Sequence, residues 1–351
     1  MAHQRDVVVG MDNGGTTNNA TVLAVSGQFM VEGLCETPSL VREGPVVAVP
    51  AMVAAIDVAL ARVGLPQQAV RAVGLDTPGP ASADGVISSL GSTNFQHDAW
   101  RSFDVRAALE SRLGLPVVYN NDGNAAALYA HHAYFGDRAA QTSSVSAIVG
   151  TGLGGGVVES GAVVRGAAGM AGEFGHIPIS IAGVLAEGQP VPVCNCGTAG
   201  DVESIASLIG IEKNLLPFWL TQFRDHPLAH VDARLAALQV RSYGERGDEL
   251  ARHVFEQQAM ALGGLFTIAA NFTDPHAYFL GGGVVEADAQ FRDWFLDTVR
   301  RHTSLRTEQH GACRVLPALE PSGLSFGLSS PDPPWYDCPR SALTWANVRQ
   351  R

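Results

Sequence analysis

Two glycine-rich turns, each set between strand-like runs, limit what this chain can fold into. The first is Asp12-Asn13-Gly14-Gly15-Thr16-Thr17, which follows Val7-Val8-Val9 and leads into Ala20 to Val25. The second is Gly150-Thr151-Gly152-Leu153-Gly154-Gly155-Gly156, which follows Val145 to Val149 and leads into Val157-Val158. Each reads as the tip of a β-hairpin that exposes backbone N–H groups and hydroxyls. Gly150-x-Gly152-x-x-Gly155 has the spacing of a dinucleotide fingerprint. That fingerprint needs a helix directly after the loop, whereas Val157 to Val164 reads as strand, turn, strand. No Gly-Lys-Ser/Thr follows either loop, so neither is a P-loop. Two hairpin tips facing each other across a cleft suit a chain of phosphates; an ordinary glycine turn is the alternative for either one alone.

The 351 residues suggest two domains or one large α/β unit, and 46% apolar residues suffice for a core. A formal net charge of −11 argues against generic nucleic-acid or anionic-membrane partners, which need a basic face. It does not exclude a nucleotide held by glycine loops and metal ions. Met1 to Asp6 runs into the first strand without an apolar leader, and the longest apolar stretch, near Ala261 to Phe272, is interrupted and too short to cross a bilayer. Five cysteines (Cys35, Cys194, Cys196, Cys313, Cys338) are an odd, sparse set with one close pair. That suits a cytosolic metal site better than a disulfide framework, so a cytoplasmic protein is expected.

Along the chain, the expected order opens with a β-hairpin over about 6–37, an amphipathic helix over about 46–63 and strand Val73-Gly74-Leu75. Asp76-Thr77-Pro78-Gly79-Pro80 reads as a turn. Phe103 to Leu113 has helical periodicity that Gly114-Leu115-Pro116 ends. Val117-Val118-Tyr119 is a buried-type strand feeding Asn120-Asn121-Asp122-Gly123 and a helix-forming run from Asn124 to Ala133. Val202 to about Ala270 reads as mostly helical, with breaks at Pro217 and Pro227. Tyr278-Phe279-Leu280 is another buried strand, closed by Gly281-Gly282-Gly283 before a helix near Ala289 to Val299. The strand–glycine loop–strand unit occurs once in each half, a hint of two similarly built lobes. From Ser329 the chain is rich in Pro and Trp, and its prolines forbid a regular helix at first.

The ordered set Asp12-x-Gly14-Gly15-Thr16, Thr77-Pro78-Gly79-Pro80, Asn121-Asp122-Gly123-Asn124, Gly150-Thr151-Gly152-x-Gly154-Gly155-Gly156, Gly172-Glu173-Phe174-Gly175-His176, Cys194-x-Cys196-Gly197 and Leu280-Gly281-Gly282-Gly283 resembles the ROK-family sugar kinases. These belong to the actin/hexokinase/Hsp70-type superfamily. The resemblance runs from about residue 6 to about 318 and does not choose among glucokinases, N-acetylmannosamine kinases and allose kinases. It implies an α/β, two-lobed actin-like ATPase (ribonuclease H-like) fold with a central cleft. The expected divisions are a first lobe over 1–121, a second over 122–320 and an atypical tail over 321–351.

The resemblance also implies an ATP- and Mg²⁺-dependent transfer of a phosphoryl group to a hexose or N-acetylhexosamine hydroxyl, most simply at C6, in a homodimer. Asp122 is the implied general base; a carboxylate at a helix N-terminus is held ionised, and a plain N-cap is the alternative reading. Asn94, Asn121, Glu173, His176 and Glu203 match positions that bind sugar hydroxyls, which need carboxylates and amides. Asp12, Gly14, Gly15, Thr16 and Thr17 would hold phosphates together with Gly150, Thr151, Gly152 and Gly154, and Gly281, Gly282 and Gly283 would lie beside the adenosine. Trp100 stacks on sugar or fills core, and core is favoured.

The family's His/Cys₃ zinc site reads here as His176, Cys194, Cys196 and Asp201, with Asp in place of the third cysteine; a carboxylate oxygen is an accepted zinc ligand. Such zinc would be structural, orienting His176 and Glu203; two reduced cysteines in an ordinary loop are the alternative. After Leu319 the resemblance fails, where the family carries a closing helix. A catalytically weak sugar-binding protein is one rival. A sugar-sensing regulator is another, but it would need a helix-turn-helix before the first strand, which begins here by residue 7.

Overall fold

The computed structural model describes residues 7–317, apart from residues 26, 32–34, 91–93 and 311–313. The Pro/Trp-rich tail, Cys313 and Cys338 lie outside the described residues, and so does the expectation that the tail resists regular structure.

Two five-stranded sheets organise the chain. The first begins with β1 (Val7–Asn13) and β2 (Thr17–Ala24), an antiparallel pair in which Asn13 faces Asn18 across a tip of only Gly14 to Thr16. β3 (Cys35–Pro38) extends this meander, while β4 (Val70–Thr77) and β5 (Val117–Asn121) add to the other side in parallel. The order is β3-β2-β1-β4-β5. β4 is buried at every position but Arg71, as a central strand covered on both faces must be. Asp76 and Thr77 therefore belong to β4 and not to the turn read from the sequence; Asp76 pairs with both β1 and β5, and Thr77 with β5.

α1 (Pro45–Arg62) packs on this sheet through Ala48, Met52, Ala55, Ile56, Ala59 and Leu60. It is the one helix among the described residues long and apolar enough to cross a membrane by length and composition. The apolar face of α1 packs on the sheet, and the apolar stretch Ala261 to Phe272 lies within the longer helix that ends at Thr273. α2 (Val105–Leu113) starts at Asp104, whose side chain accepts the Ala107 N–H, and ends at Gly114 in the left-handed region. α3 (Asp122–Phe135) leaves β5 without a loop.

The second sheet contains β6 (Ser144–Val149), β7 (Leu153–Glu159), β8 (Ala162–Val163), β9 (Ala277–Gly282) and β10 (Arg314–Pro317), in the order β10-β9-β6-β7-β8. The second glycine turn is shorter than expected. It comprises Gly150 to Gly152, and Gly154, Gly155 and Gly156 lie in β7. A Cβ on Gly155 would collide with the Ser146 carbonyl oxygen, so at this position β7 runs too close to β6 for a side chain. The turn leads from strand to strand, which fits the rejection of a dinucleotide fold.

The helical stretch after residue 202 is segmented: α4 (Glu203–Ala206), α5 (Leu208–Gly210), a π-helical turn at Ile211–Leu215, α6 (Leu216–Gln222), α7 (Ala233–Glu245) and the 25-residue α8 (Glu249–Thr273). Pro217 does not break it. It sits in the first turn of α6, directly after the π turn, where a missing N–H is tolerated. Pro227 does stand at a break, in a short 3₁₀ turn. α9 (Ala289–His302) packs on α8 and is capped by Asp288.

By internal packing the chain forms two compact units. Among the described residues, one runs up to Gln141 and includes Val157–Gly172; the other holds Thr142–Gly156 and the chain from Glu173 to Pro317.

Candidate functional site

In the first unit β1, β4 and β5 are parallel, so their carboxy ends meet at one sheet edge. Open α/β sheets bind ligands at such edges. Asp12 lies opposite Asp76, and Asp76 opposite Asn120, so one row across three strands presents two carboxylates and an amide. Both carboxylates are buried, Asp76 completely. The Asn19 amide donates to Asp12 Oδ2 at 3.3 Å. Asp76 has no place among the residues singled out from the sequence; its signal was an acidic residue ending an apolar strand run.

The first glycine turn closes with the Gly14 N–H donating to the Thr17 carbonyl at 2.8 Å, while Thr16 O accepts from Ser39 N at 2.9 Å. Asn13 and Asn18 are fully buried and joined at 2.6 Å, which fixes the base of the turn. Asn94 lies over it: a Cβ on Gly15 would stand 2.5 Å from Asn94 Oδ1. The turn and Asn94 are thus brought together. Trp100 is core, as favoured: it is fully buried, its indole N–H donates to Val41 O at 2.6 Å, and its ring meets Phe95 and Phe103 edge-on.

Asn121 is the N-cap of α3, its Oδ1 accepting the Asn124 N–H at 2.8 Å. Asp122 is the first helical residue, and its Oδ1 accepts the Gly123 N–H at 2.7 Å. The N-cap is thus Asn121, and Asp122 adds a second first-turn bond with one of its two oxygens. Beside it, Tyr119 donates to or accepts from Thr77 at 2.7 Å. Burial first, with Asp122 and Asp76 adding, pushes the Tyr119 phenol well above its ordinary value, so it stays neutral. A small polar cavity of about 10 Å³ adjoins this corner, lined by Tyr119, Asn120, Asn121, Asn124 and Arg165 among others. The buried Asn120 Nδ2 and Asn124 Oδ1 make no hydrogen bond there, and the space suits about one water.

In the second unit the Gly150–Gly152 turn is closed by the Gly150 N–H donating to Gly152 O at 2.9 Å. Gly281 and Gly282 end β9, and Gly283 follows in the turn beyond it. Asp288 caps the helix that follows, so the glycine run is not that helix's N-terminus. Gly282 has φ +98°, and a Cβ there would collide with the Val149 carbonyl, so only glycine fits beside the end of β6. The Arg241 guanidinium donates to Gly283 O.

His176, Cys194, Cys196 and Asp201 converge: one donor atom from each lies within 4.8 Å of the others. Cys194 Sγ is 3.8 Å from His176 Nδ1, which is 3.6 Å from Asp201 Oδ2, itself 3.6 Å from Cys196 Sγ. Donors around tetrahedral zinc stand roughly 3.3–3.8 Å apart, so the spacing fits. Asp201 is fully buried, and its other oxygen accepts the Ser204 N–H at 2.8 Å, which aims Oδ2 into the cluster. A buried carboxylate against sulfur and imidazole is the donor set a cation needs. Burial raises the Cys194 thiol's pKa, and hydrogen bonds from Thr198 lower that of Cys196. Burial opposes charge on His176, yet Glu203, Cys196 and Asp201 outweigh it and hold its pKa above the usual value.

Both carboxylate oxygens of Glu203 meet neighbours in the second unit. One oxygen accepts the Leu153 N–H at 2.8 Å and the other the Cys194 thiol at 3.3 Å. Glu173 precedes the 3₁₀ turn Phe174–His176 and makes no side-chain cap bond to it.

The family profile for ROK matches residues 8–319. The chain belongs to the ROK family. It is similar to a glucokinase of Halalkalibacterium halodurans, at 31% identity over 84% of each chain. An N-acetylmannosamine kinase of Shigella flexneri is 29% identical over 79% of this chain and 83% of its own. The crystal structure of a ROK hexokinase from Thermus thermophilus superimposes with a TM-score of 0.69 at 29% identity, over 98% of this chain and 100% of that one. The mixed α/β architecture with two sheets is the actin-like ATPase fold of those hexokinases.

Proposed function

We propose that this ROK protein is a sugar kinase that transfers the γ-phosphoryl group of ATP to a hexose or N-acetylhexosamine, at the C6 hydroxyl, with Asp122 as general base. The position of Asp122 carries this reading. It stands at the first helical residue, on a sheet edge that also presents Asp12, Asp76 and the first glycine turn, while Asn121 is the N-cap and the Gly123 N–H engages only Asp122 Oδ1. A carboxylate there is favoured as the anion by the helix N-terminus. It can accept a hydroxyl proton as the sugar oxygen attacks phosphorus.

The other roles follow from donor chemistry. Gly14 to Thr17 and Gly150 to Gly152 offer backbone N–H groups and hydroxyls to phosphate oxygens. Asn94 and Asn121 present amides, and His176 and Glu173 complete the sugar contacts that the family resemblance supplies. His176 serves two roles without conflict, since Nδ1 faces the cysteine cluster and Nε2 is the other ring nitrogen. The glycine run 281–283 would border the adenosine. Asp12 and Asp76 would hold Mg²⁺, which when bound neutralises charge on the phosphates; two buried carboxylates in adjacent register suit a divalent cation. His176, Cys194, Cys196 and Asp201 would hold structural zinc. A cytoplasmic homodimer completes the proposal.

Phosphoryl transfer from ATP to a panel of hexoses and N-acetylhexosamines, with polyphosphate as a second donor, tests it. Formation of a sugar 6-phosphate from one of them is expected. Binding of a sugar with no transfer from either donor would overturn the kinase reading in favour of a sugar-binding protein.

A further inference from the structure

The second glycine turn is fastened from outside itself. Leu208 N donates to Gly150 O at 3.0 Å and Ile209 N to Thr151 O at 3.2 Å. Leu153 N donates to Glu203 Oε2 at 2.8 Å. Two carbonyls of the turn and the N–H of Leu153, the first residue of β7, are thus taken by one short segment, Glu203 to Ile209. Two of these bonds are backbone to backbone and keep the turn near α5; only the third depends on a side chain. Gly152 is pressed against that side chain, since a Cβ there would lie 2.7 Å from Glu203 Oε2. The other carboxylate oxygen lies 3.3 Å from Cys194 Sγ, a hydrogen bond only while that sulfur keeps its proton and holds no metal.

We infer that Glu203 is a positioning residue for the nucleotide: by accepting the Leu153 N–H it sets the turn that receives the phosphates. This deepens the kinase proposal and rests on its reading of the Gly150–Gly152 turn as a phosphate loop. A turn held by backbone bonds alone samples several orientations, and ordering it must then come out of the binding free energy. A carboxylate accepting a backbone N–H removes that cost in advance. The missing Cβ at Gly152 lets the carboxylate come in close.

The test combines two variants, Glu203→Ala and Gly152→Ala, their double, and Glu203→Gln. Titration calorimetry with a non-hydrolysable ATP analogue and Mg²⁺, in the absence of sugar, gives nucleotide affinity. A separate titration with glucose gives sugar affinity, and amide exchange over residues 150–153 reports the turn without any ligand. Glu203→Ala should weaken nucleotide binding about tenfold, the size expected for one hydrogen bond to a charged group. It should also speed exchange at the turn about fivefold or more. Glu203→Gln keeps a carbonyl acceptor for Leu153 and should stay within about twofold of wild type in both readouts.

Gly152→Ala should weaken nucleotide binding in the wild-type background by pushing the carboxylate away, and have little further effect once Glu203 is Ala. Additive losses in the double variant would overturn the inference. So would a loss confined to glucose affinity with normal exchange at the turn, which makes Glu203 a sugar ligand only. Faster exchange with unchanged nucleotide affinity would overturn it as well, and would locate the failure in the phosphate reading of the turn. The glutamine variant and the exchange data keep the test independent of any general loss of folding.

Discussion

Asn121 Oδ1 accepts the Asn124 N–H at 2.8 Å, so the N-cap of α3 is Asn121 and the neighbouring Asp122 gives only one oxygen, Oδ1, to the Gly123 N–H. Helices need a side-chain acceptor at the N-cap, and an aspartate in that position would spend its carboxylate on backbone N–H groups. Here the cap falls one residue earlier.

Asp122→Asn should therefore fold normally and bind sugar, because α3 keeps its cap and the amide keeps the shape. Turnover should fall by about two to four orders of magnitude, the range for loss of a general base. Steady-state kinetics with the best sugar, alongside a sugar titration, check this. A variant that retains more than about a tenth of wild-type kcat would remove Asp122 from that role.

One zinc per chain is expected in protein purified without chelator. Asp201→Asn keeps an oxygen for the Ser204 N–H but loses the charge, so it should lower zinc retention against a chelator with a smaller loss of stability. Asp201→Cys should raise retention, since a thiolate is the softer ligand. Metal analysis after chelator challenge reads both, and alkylation of the exposed Cys196 should be slower in the zinc-loaded protein. Metal-free wild-type protein with full activity would leave the four residues as an ordinary loop.

Gly15→Ala places a Cβ where Asn94 Oδ1 now sits at 2.5 Å, and the amide has to swing aside. If Asn94 holds a sugar hydroxyl, the KM for sugar should rise about five- to tenfold, the scale of one lost hydrogen bond. Asn94→Ala should do the same, and the double variant should be little worse than either. A rise in the KM for ATP alone would instead give Gly15 a role with phosphate only.

What the sequence made legible was local. Both hairpin tips, the helix after Asn121 and the Gly114 stop are set by residues within a few positions of each other. The family-ordered cysteine and histidine positions were legible too, and the structure brings those side chains together. Long-range pairing was not legible. Gly154 to Gly156 read as loop because glycine has low strand propensity, yet they lie in β7, where the Ser146 carbonyl leaves no room for a Cβ at Gly155. Asp76 read as a turn residue until two neighbouring strands claimed it. Glu203 and Leu153 are fifty positions apart, and no local pattern announces a carboxylate aimed at a backbone N–H.

Trp100 gives a prediction about stability against recognition. An aromatic residue six positions after Asn94 invites a sugar-stacking role, but this one is fully buried, with edge contacts to Phe95 at 4.8 Å and Phe103 at 5.4 Å. Its indole N–H satisfies the Val41 carbonyl at 2.6 Å. Trp100→Phe should cost about 0.5–1.5 kcal/mol, because the Val41 carbonyl loses one of its two donors and keeps the Gly44 N–H. Trp100→Ala should cost about 3–5 kcal/mol through the cavity it leaves. Denaturant unfolding followed by circular dichroism measures both. The phenylalanine variant should keep the KM for sugar within about twofold, since a side chain without exposed surface has no face to offer a ligand. Unchanged stability with a KM raised more than about tenfold would mean that Trp100 reaches the substrate after all.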